Sequence, residues 1–210
     1  SIRDDVERQV RVYRKVVRLT ILLTSTLVLG LIGCADAMIE VLIGPKWLPA
    51  AHYLRILGIS GMFLPLILSS VNVFNANGKS DITLLLEIIK TALAVIPVTL
   101  GIIFDIDALL WGMVGITLLS YLIHAAFVSK EIPYSVGQQV RDILPPIVIS
   151  ACMAVAVHFV GMVEMAPFPL LLLQIAVGFV IVLVCYEFIC PSEEYTELKG
   201  MVLKVLHLKK

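Results

Sequence analysis

Apolar residues come along this chain in long unbroken runs rather than in alternation. Six runs occupy 19–43, 53–76, 82–104, 108–129, 146–163 and 168–190, separated by short stretches that carry Gly, Pro or charge. Runs of this kind predict helices that cross a bilayer, because about 20 residues rising ~1.5 Å each span a hydrocarbon core. A membrane barrel would show ~10-residue segments of period two instead. The joints carry breakers: Gly44-Pro45, Gly78, Asp105-Ile106-Asp107, Pro145-Pro146 and Pro167-Phe168-Pro169. Several of these prolines fall where a new helix starts, a position that needs no backbone donor. The expected fold class is all-α integral membrane, with six transmembrane helices. The expected organisation is a cytoplasmic amphipathic segment (1–18), four transmembrane helices (19–129), a cytoplasmic connector (130–145), two trailing transmembrane helices (146–190) and a cytoplasmic tail (191–210).

Composition agrees. Of 210 residues, 60% are hydrophobic and 15% charged, and the mean hydropathy is +1.00. Soluble domains are nearer ~45–50% apolar and ~25% charged. Zero net charge with no basic block excludes nucleic acid as a partner. Cys34, Cys152, Cys185 and Cys190 show no CxxC spacing, so they read as small apolar packing residues rather than zinc ligands or a disulfide framework.

Lys and Arg settle the expected orientation. Threading the chain through six spans places 14 of the 16 on one side and leaves only Lys46 and Arg55 on the other. Positive charge stays on the cytoplasmic face, so both termini are expected there. Trp47, Tyr53, Phe104, Trp111 and Phe168 would form an outer aromatic belt, and Tyr134, Tyr186 and Phe188 an inner one. The flanks are amphipathic: Ile2, Val6, Val10, Tyr13 and Val17 recur at helical spacing opposite arginines, and Leu198, Val202, Val205 and Leu206 do so in the tail. Such stripes suit helices lying on an anionic leaflet or packed against further protein.

Three tempting signals fail on context. Leu31-Ile32-Gly33-Cys34 looks like a lipoprotein-processing box, but Asp4, Asp5 and Glu7 precede it and five spans follow. Gly78-Lys79-Ser80 lacks the earlier glycine of a phosphate-binding loop, since Val73 stands there. His124 and His158 fall on different helices at different depths. No catalytic constellation, metal site or cofactor is expected, and the chain does not read as an enzyme.

The intramembrane polar groups carry the remaining chemistry. Glu87 and Lys90 lie three residues apart on one helix face, the spacing of an ion pair. Asn72, Asn75 and Asn77 fall at a similar depth on the preceding helix, as do His124 and Glu187 on others, while Asp36 and Glu40 lie near the outer end of the first. Two explanations stand side by side. The set lines a hydrated, cytoplasm-facing vestibule, or Glu87 and Lys90 snorkel to the interface while the asparagines cap and bridge helices. Pro65 and Pro97 interrupt the second and third spans near mid-depth and predict kinks. Gly30, Gly33, Gly58, Gly61, Gly112 and Gly115 allow close helix approach.

The loops carry a resemblance. The run Val41-Leu42-Ile43-Gly44-Pro45-Lys46-Trp47-Leu48-Pro49-Ala50, then a span ending Asn75-Ala76-Asn77-Gly78-Lys79-Ser80-Asp81, resembles the C-terminal half of bacterial polysaccharide exporters. The branch is that of O-antigen (Wzx-type) flippases in the multidrug/oligosaccharidyl-lipid/polysaccharide exporter superfamily. Its outer Gly-x-x-Trp loop corresponds to Gly44 and Trp47, and its cytoplasmic Gly-Lys-x-Asp turn to Gly78, Lys79 and Asp81. The segment 134–145 is similar to its connection before the last two helices.

Such proteins have fourteen helices in two lobes, and these six spans match the ninth to fourteenth. The resemblance implies a C-terminal fragment whose first lobe is missing. It also implies translocation of an undecaprenyl-pyrophosphate-linked oligosaccharide across the cytoplasmic membrane by alternating access. Partners implied are membrane lipids, the lipid-linked oligosaccharide, the missing lobe and the polysaccharide assembly machinery. Lys90 or Arg55 would meet pyrophosphate and Glu87 would serve coupling or ion pairing, assignments that rest on depth and charge alone. The alternatives are a drug or other lipid-linked cargo exporter of the same superfamily, or a stand-alone six-helix membrane enzyme or assembly factor.

Overall fold

The computed structural model describes residues 2–189, 195–196 and 199–200, and side chains within 6–187 and at those last four positions. The expected tail stripe of Leu198, Val202, Val205 and Leu206 lies outside the described residues, as does Cys190. The elements are α1 (Ile2–Gly33), α2 (Ala35–Leu42), a 3₁₀ turn (Pro45–Trp47), α3 (Ala50–Ala76), α4 (Ser80–Leu93), α5 (Val95–Ile103), α6 (Ile106–Glu131), α7 (Val136–Val160) and α8 (Pro167–Val184), which ends in a π turn (Cys185–Ile189). No strand occurs among the described residues.

Six helical stretches are long and apolar enough to cross a membrane: Val6–Gly33, Ala50–Ala76, Ser80–Ile103, Ile106–Glu131, Val136–Val160 and Pro167–Glu187. This is an all-α membrane protein, as the apolar runs predict. Two helices run past the ends of their apolar runs. From Ile2 the amphipathic segment runs into the first span as one helix, because α1 passes through residue 18 without a break. Of its stripe, Tyr13 and Val17 are buried in the main core with Ile21, beside Phe63, Leu66 and Phe74 of α3, so these two pack on protein.

The second of these extensions is at 130–145. Ser135 accepts from the Gln138 backbone N–H at 3.3 Å while the Gln138 side chain accepts from the Ser135 N–H at 3.0 Å. This capping box satisfies two donors at once and starts α7 at Val136. Pro145 and Pro146 therefore sit inside α7 rather than at a helix start. Pro167, by contrast, opens α8 as expected.

Of the two prolines expected to kink helices, Pro97 stands three residues past the break at Ala94 that divides α4 from α5, the position where its ring removes a hydrogen bond and crowds the preceding turn. Pro65 lies in an α3 that continues without interruption.

The helices pack in the order α8, α7, α1, α3, α6, with α4 and α5 on the outer side of α6. Small residues set the closest joints. A Cβ at Gly33 would come within 2.8 Å of the Ala154 carbonyl oxygen, and one at Gly112 within 2.9 Å of Pro97. Ser25, Thr26 and Ser150 join the same α1–α7 seam, the Ser150 hydroxyl lying 3.0 Å from that of Ser25 and 3.3 Å from that of Thr26. Outward faces of α4, α5 and α8 show Leu84, Ile88, Ile102, Leu172 and Phe179 to the surroundings, as helices bathed in lipid do.

Candidate polar sites at the two ends of the bundle

Helix direction alternates, so the polar loops gather at two ends. The end that holds the start of α1, the α3–α4 turn, the α6–α7 link and the end of α8 is the basic end.

Gly78 shapes the α3–α4 turn. Its φ is +70°, a left-handed conformation that favours glycine. The Gly78 N–H donates to the Asn75 carbonyl at 3.1 Å and the Lys79 N–H to the Phe74 carbonyl at 2.9 Å, the paired bonds that cap a helix C-terminus. This turn aims Lys79 at Glu131 at the end of α6, 2.8 Å away. Asp81 sits in the first turn of α4, where a carboxylate complements the helix dipole. At the opposite end Gly44, with φ +100°, leads into the 3₁₀ turn that contains Trp47.

The remaining expected site residues do not converge on one point. Lys90 and Glu87 form the expected ion pair at 2.7 Å, on an exposed face of α4. Asn75 accepts from the Thr83 hydroxyl at 3.3 Å across the turn, and Asn77 accepts from the Gln9 amide at 2.8 Å. Asn72 borders a groove between α1 and α3. Arg55 stands at the opposite end, paired with Asp36 of α2; there too His52 of α3 meets Asp107 of α6 at 3.1 Å. His124 is buried, its Nδ1 2.8 Å from the Ser120 carbonyl, so that nitrogen carries the proton. Glu187 pairs with Lys199 at 2.7 Å. Among the described residues no three His, Cys, Asp or Glu side chains gather as a metal site.

The most buried charge among the described residues is one that the sequence pattern does not single out. Asp142 of α7 has a side chain only 4% exposed. It accepts from Arg14 through both carboxylate oxygens, from Arg18 at 2.6 Å and from the Tyr134 hydroxyl at 2.8 Å. Burial and the adjacent carboxylate push the Tyr134 phenol up, so it stays protonated and donates. Next to it the fully buried Gln139 amide donates to the carbonyls of Ala125 and Tyr134, both at 3.1 Å. The pairing joins α1 to α7 and the α6–α7 link to both. A carboxylate facing two guanidinium groups and a phenol is fully occupied, so this cluster holds helices together rather than offering a free charge. The signal that could have found it is Ser135-x-x-Gln138: a helix starting there puts Gln139, Asp142, Ile143, Pro146 and Ser150 on one face, and all five are buried.

No protein-family model matches the chain, and no solved structure matches it. The chain is similar to the teichuronic acid biosynthesis protein TuaB of Bacillus subtilis (strain 168). The two are 25% identical over 194 residues, which cover 87% of this chain and 38% of TuaB. The chain thus spans well under half the length of that relative. The likeness to TuaB takes in most of this multi-pass helical chain, and TuaB is named for teichuronic acid biosynthesis.

Proposed function

We propose that these six helices are part of a flippase that carries lipid-linked oligosaccharide across the bacterial cytoplasmic membrane during surface-polysaccharide biosynthesis. The observation that carries the reading is the alignment with TuaB over 194 residues, a protein named for a polysaccharide pathway. The physical need is clear: a hydrated sugar and a charged pyrophosphate lose their water if they enter hydrocarbon unaided. A transporter must shield the head while the lipid tail stays in the bilayer. The chain acts as a transporter rather than an enzyme, with both termini cytoplasmic, so that the basic end faces the cytoplasm.

In a protein as long as TuaB the pathway would be shared between these helices and the rest of the polypeptide, moving by alternating access. Partners are the cargo, the surrounding lipids, the remaining lobe and the polysaccharide assembly machinery. The Glu87–Lys90 pair then borders the cytoplasmic mouth.

The test is a flipping assay with the full-length gene product in vesicles, using a fluorescent lipid-linked oligosaccharide and a membrane-impermeant quencher. Cargo placed in the outer leaflet should become protected from quencher at a rate that empty vesicles do not show. Protection no faster than in empty vesicles, across several defined cargoes, would remove the proposal.

A further inference from the structure

A groove of about 390 Å³ runs between the first half of α1 and the last third of α3 at the basic end. Val12 and Val16 line it from α1 and Ser69, Val73 and Ala76 from α3; Arg8, Gln9 and Asn72 supply its polar part. Its position relative to the bilayer follows from the helices. Counting about 20 membrane-spanning residues back from Gly33, where α1 ends, reaches Tyr13. The same count forward from Tyr53 on α3 reaches Val73. The two levels lie about one helical turn apart, because the Tyr13 hydroxyl lies 3.0 Å from that of Ser70, three residues before Val73.

The groove therefore straddles the boundary between headgroups and hydrocarbon. Val16 and Ser69 lie on its apolar side, and Arg8 lies five residues, ~7 Å, to the aqueous side. That is the depth of a phosphate. Arg14 and Arg18 are committed to Asp142, whereas Arg8 is exposed and makes no hydrogen bond or ion pair with the described residues. From Val12 and Val16 an exposed aliphatic stripe continues up α1 through Leu23 and Leu27, the latter 70% exposed, matched on α3 by Leu64 and Leu68.

We propose that this groove seats an anionic phospholipid of the bilayer, its phosphate on Arg8 and an acyl chain along Val12 and Val16. Charge complementarity at the phosphate depth selects this occupant: a cation with no partner among the described residues stands where a headgroup lies, above a wall that only hydrocarbon wets favourably. The ligand is a resident lipid, distinct from any transported cargo, and the inference needs only that the chain spans a membrane.

Native mass spectrometry of the full chain in detergent tests it, with phosphatidylglycerol, phosphatidylcholine or undecaprenyl phosphate added at equal concentration. Phosphatidylglycerol adducts should exceed those of phosphatidylcholine about fivefold, the weight of one basic residue near an anionic headgroup. Arg8→Gln should abolish the preference, Val16→Trp should lower retention of both phospholipids by filling the groove, and Arg11→Gln, outside it, should change neither. A preference that survives Arg8→Gln, or that Arg11→Gln removes equally, overturns the site. Stronger retention of undecaprenyl phosphate than of phosphatidylglycerol overturns the choice of lipid. A photo-crosslinker replacing Val16 in the full-length gene product gives a second readout. Capture of phospholipid supports the proposal, and capture of another segment of the same polypeptide overturns it.

Discussion

Arg18 on α1 and Asp142 on α7 stand 124 residues apart in the chain and 2.6 Å apart in the fold. Arg14 and Tyr134 close on the same carboxylate, so one buried anion ties the first long helix to the fifth membrane-spanning stretch. Asp142→Ala should remove the buried carboxylate that Arg14 and Arg18 share. The expected loss is about 2–3 kcal/mol, on the low side for a broken buried pair, because Arg14 and Arg18 keep 43% and 34% of their side chains exposed and can rehydrate. Arg18→Ala should cost less, since Arg14 and Tyr134 still serve the carboxylate. Thermal unfolding in detergent measures both, and equal losses would show that Arg14 and Arg18 do not share the load.

The α1–α7 seam depends on contact rather than charge at Gly33. A methyl there would sit 2.8 Å from the Ala154 carbonyl, with Val157 at 3.1 Å. Gly33→Ala should destabilise by roughly 1–3 kcal/mol, as overpacking does. Gly115→Ala meets nothing within 4 Å and should be neutral or stabilise by up to ~1 kcal/mol through helix propensity. The same unfolding measurement separates them by sign.

Pro97 stands three residues past the break at Ala94, where a proline cannot donate to the preceding turn, and its ring also fills the space above Gly112. Pro97→Ala restores a backbone donor and should let α4 and α5 merge. Spin labels at Leu84 and Ile102, both outward-facing, should then move apart toward ~27 Å, the length of 18 residues of straight helix. An unchanged distance distribution would assign the break to packing on α6 instead.

In the flipping assay, Glu87→Gln and Lys90→Gln should each slow transport, and the double variant should lose less than the two single losses combined, because the partners lie 2.7 Å apart. Full activity in all three variants would place the pair outside the pathway and leave it as a surface ion pair.

How much of this was legible beforehand varies by residue. The apolar runs announce six membrane-spanning helices because lipid admits only helices and closed barrels, and continuous runs lack the period of two that a barrel needs. The Glu87–Lys90 pair is readable from its spacing alone, since residues three apart share a helix face whatever surrounds them. Gly78 is readable too, since the turn it closes is local. Boundaries at polar ends were less so: hydropathy stops at the interface, whereas α1 and α7 continue into it on packing and on the Ser135 capping box.

What the chain determined by itself is thus its medium, its class and its local turns, all of which follow from hydropathy and short-range geometry. Only the tertiary structure decided that Asp142 belongs to Arg14 and Arg18, that Arg55 belongs to Asp36, and that Arg8 is left beside an apolar groove. Every one of these charges looks alike in sequence. Which cations meet a carboxylate and which face the groove depends on how α1, α3 and α7 rotate against one another, and that rotation is set by contacts such as Gly33 on Ala154 between residues more than a hundred positions apart.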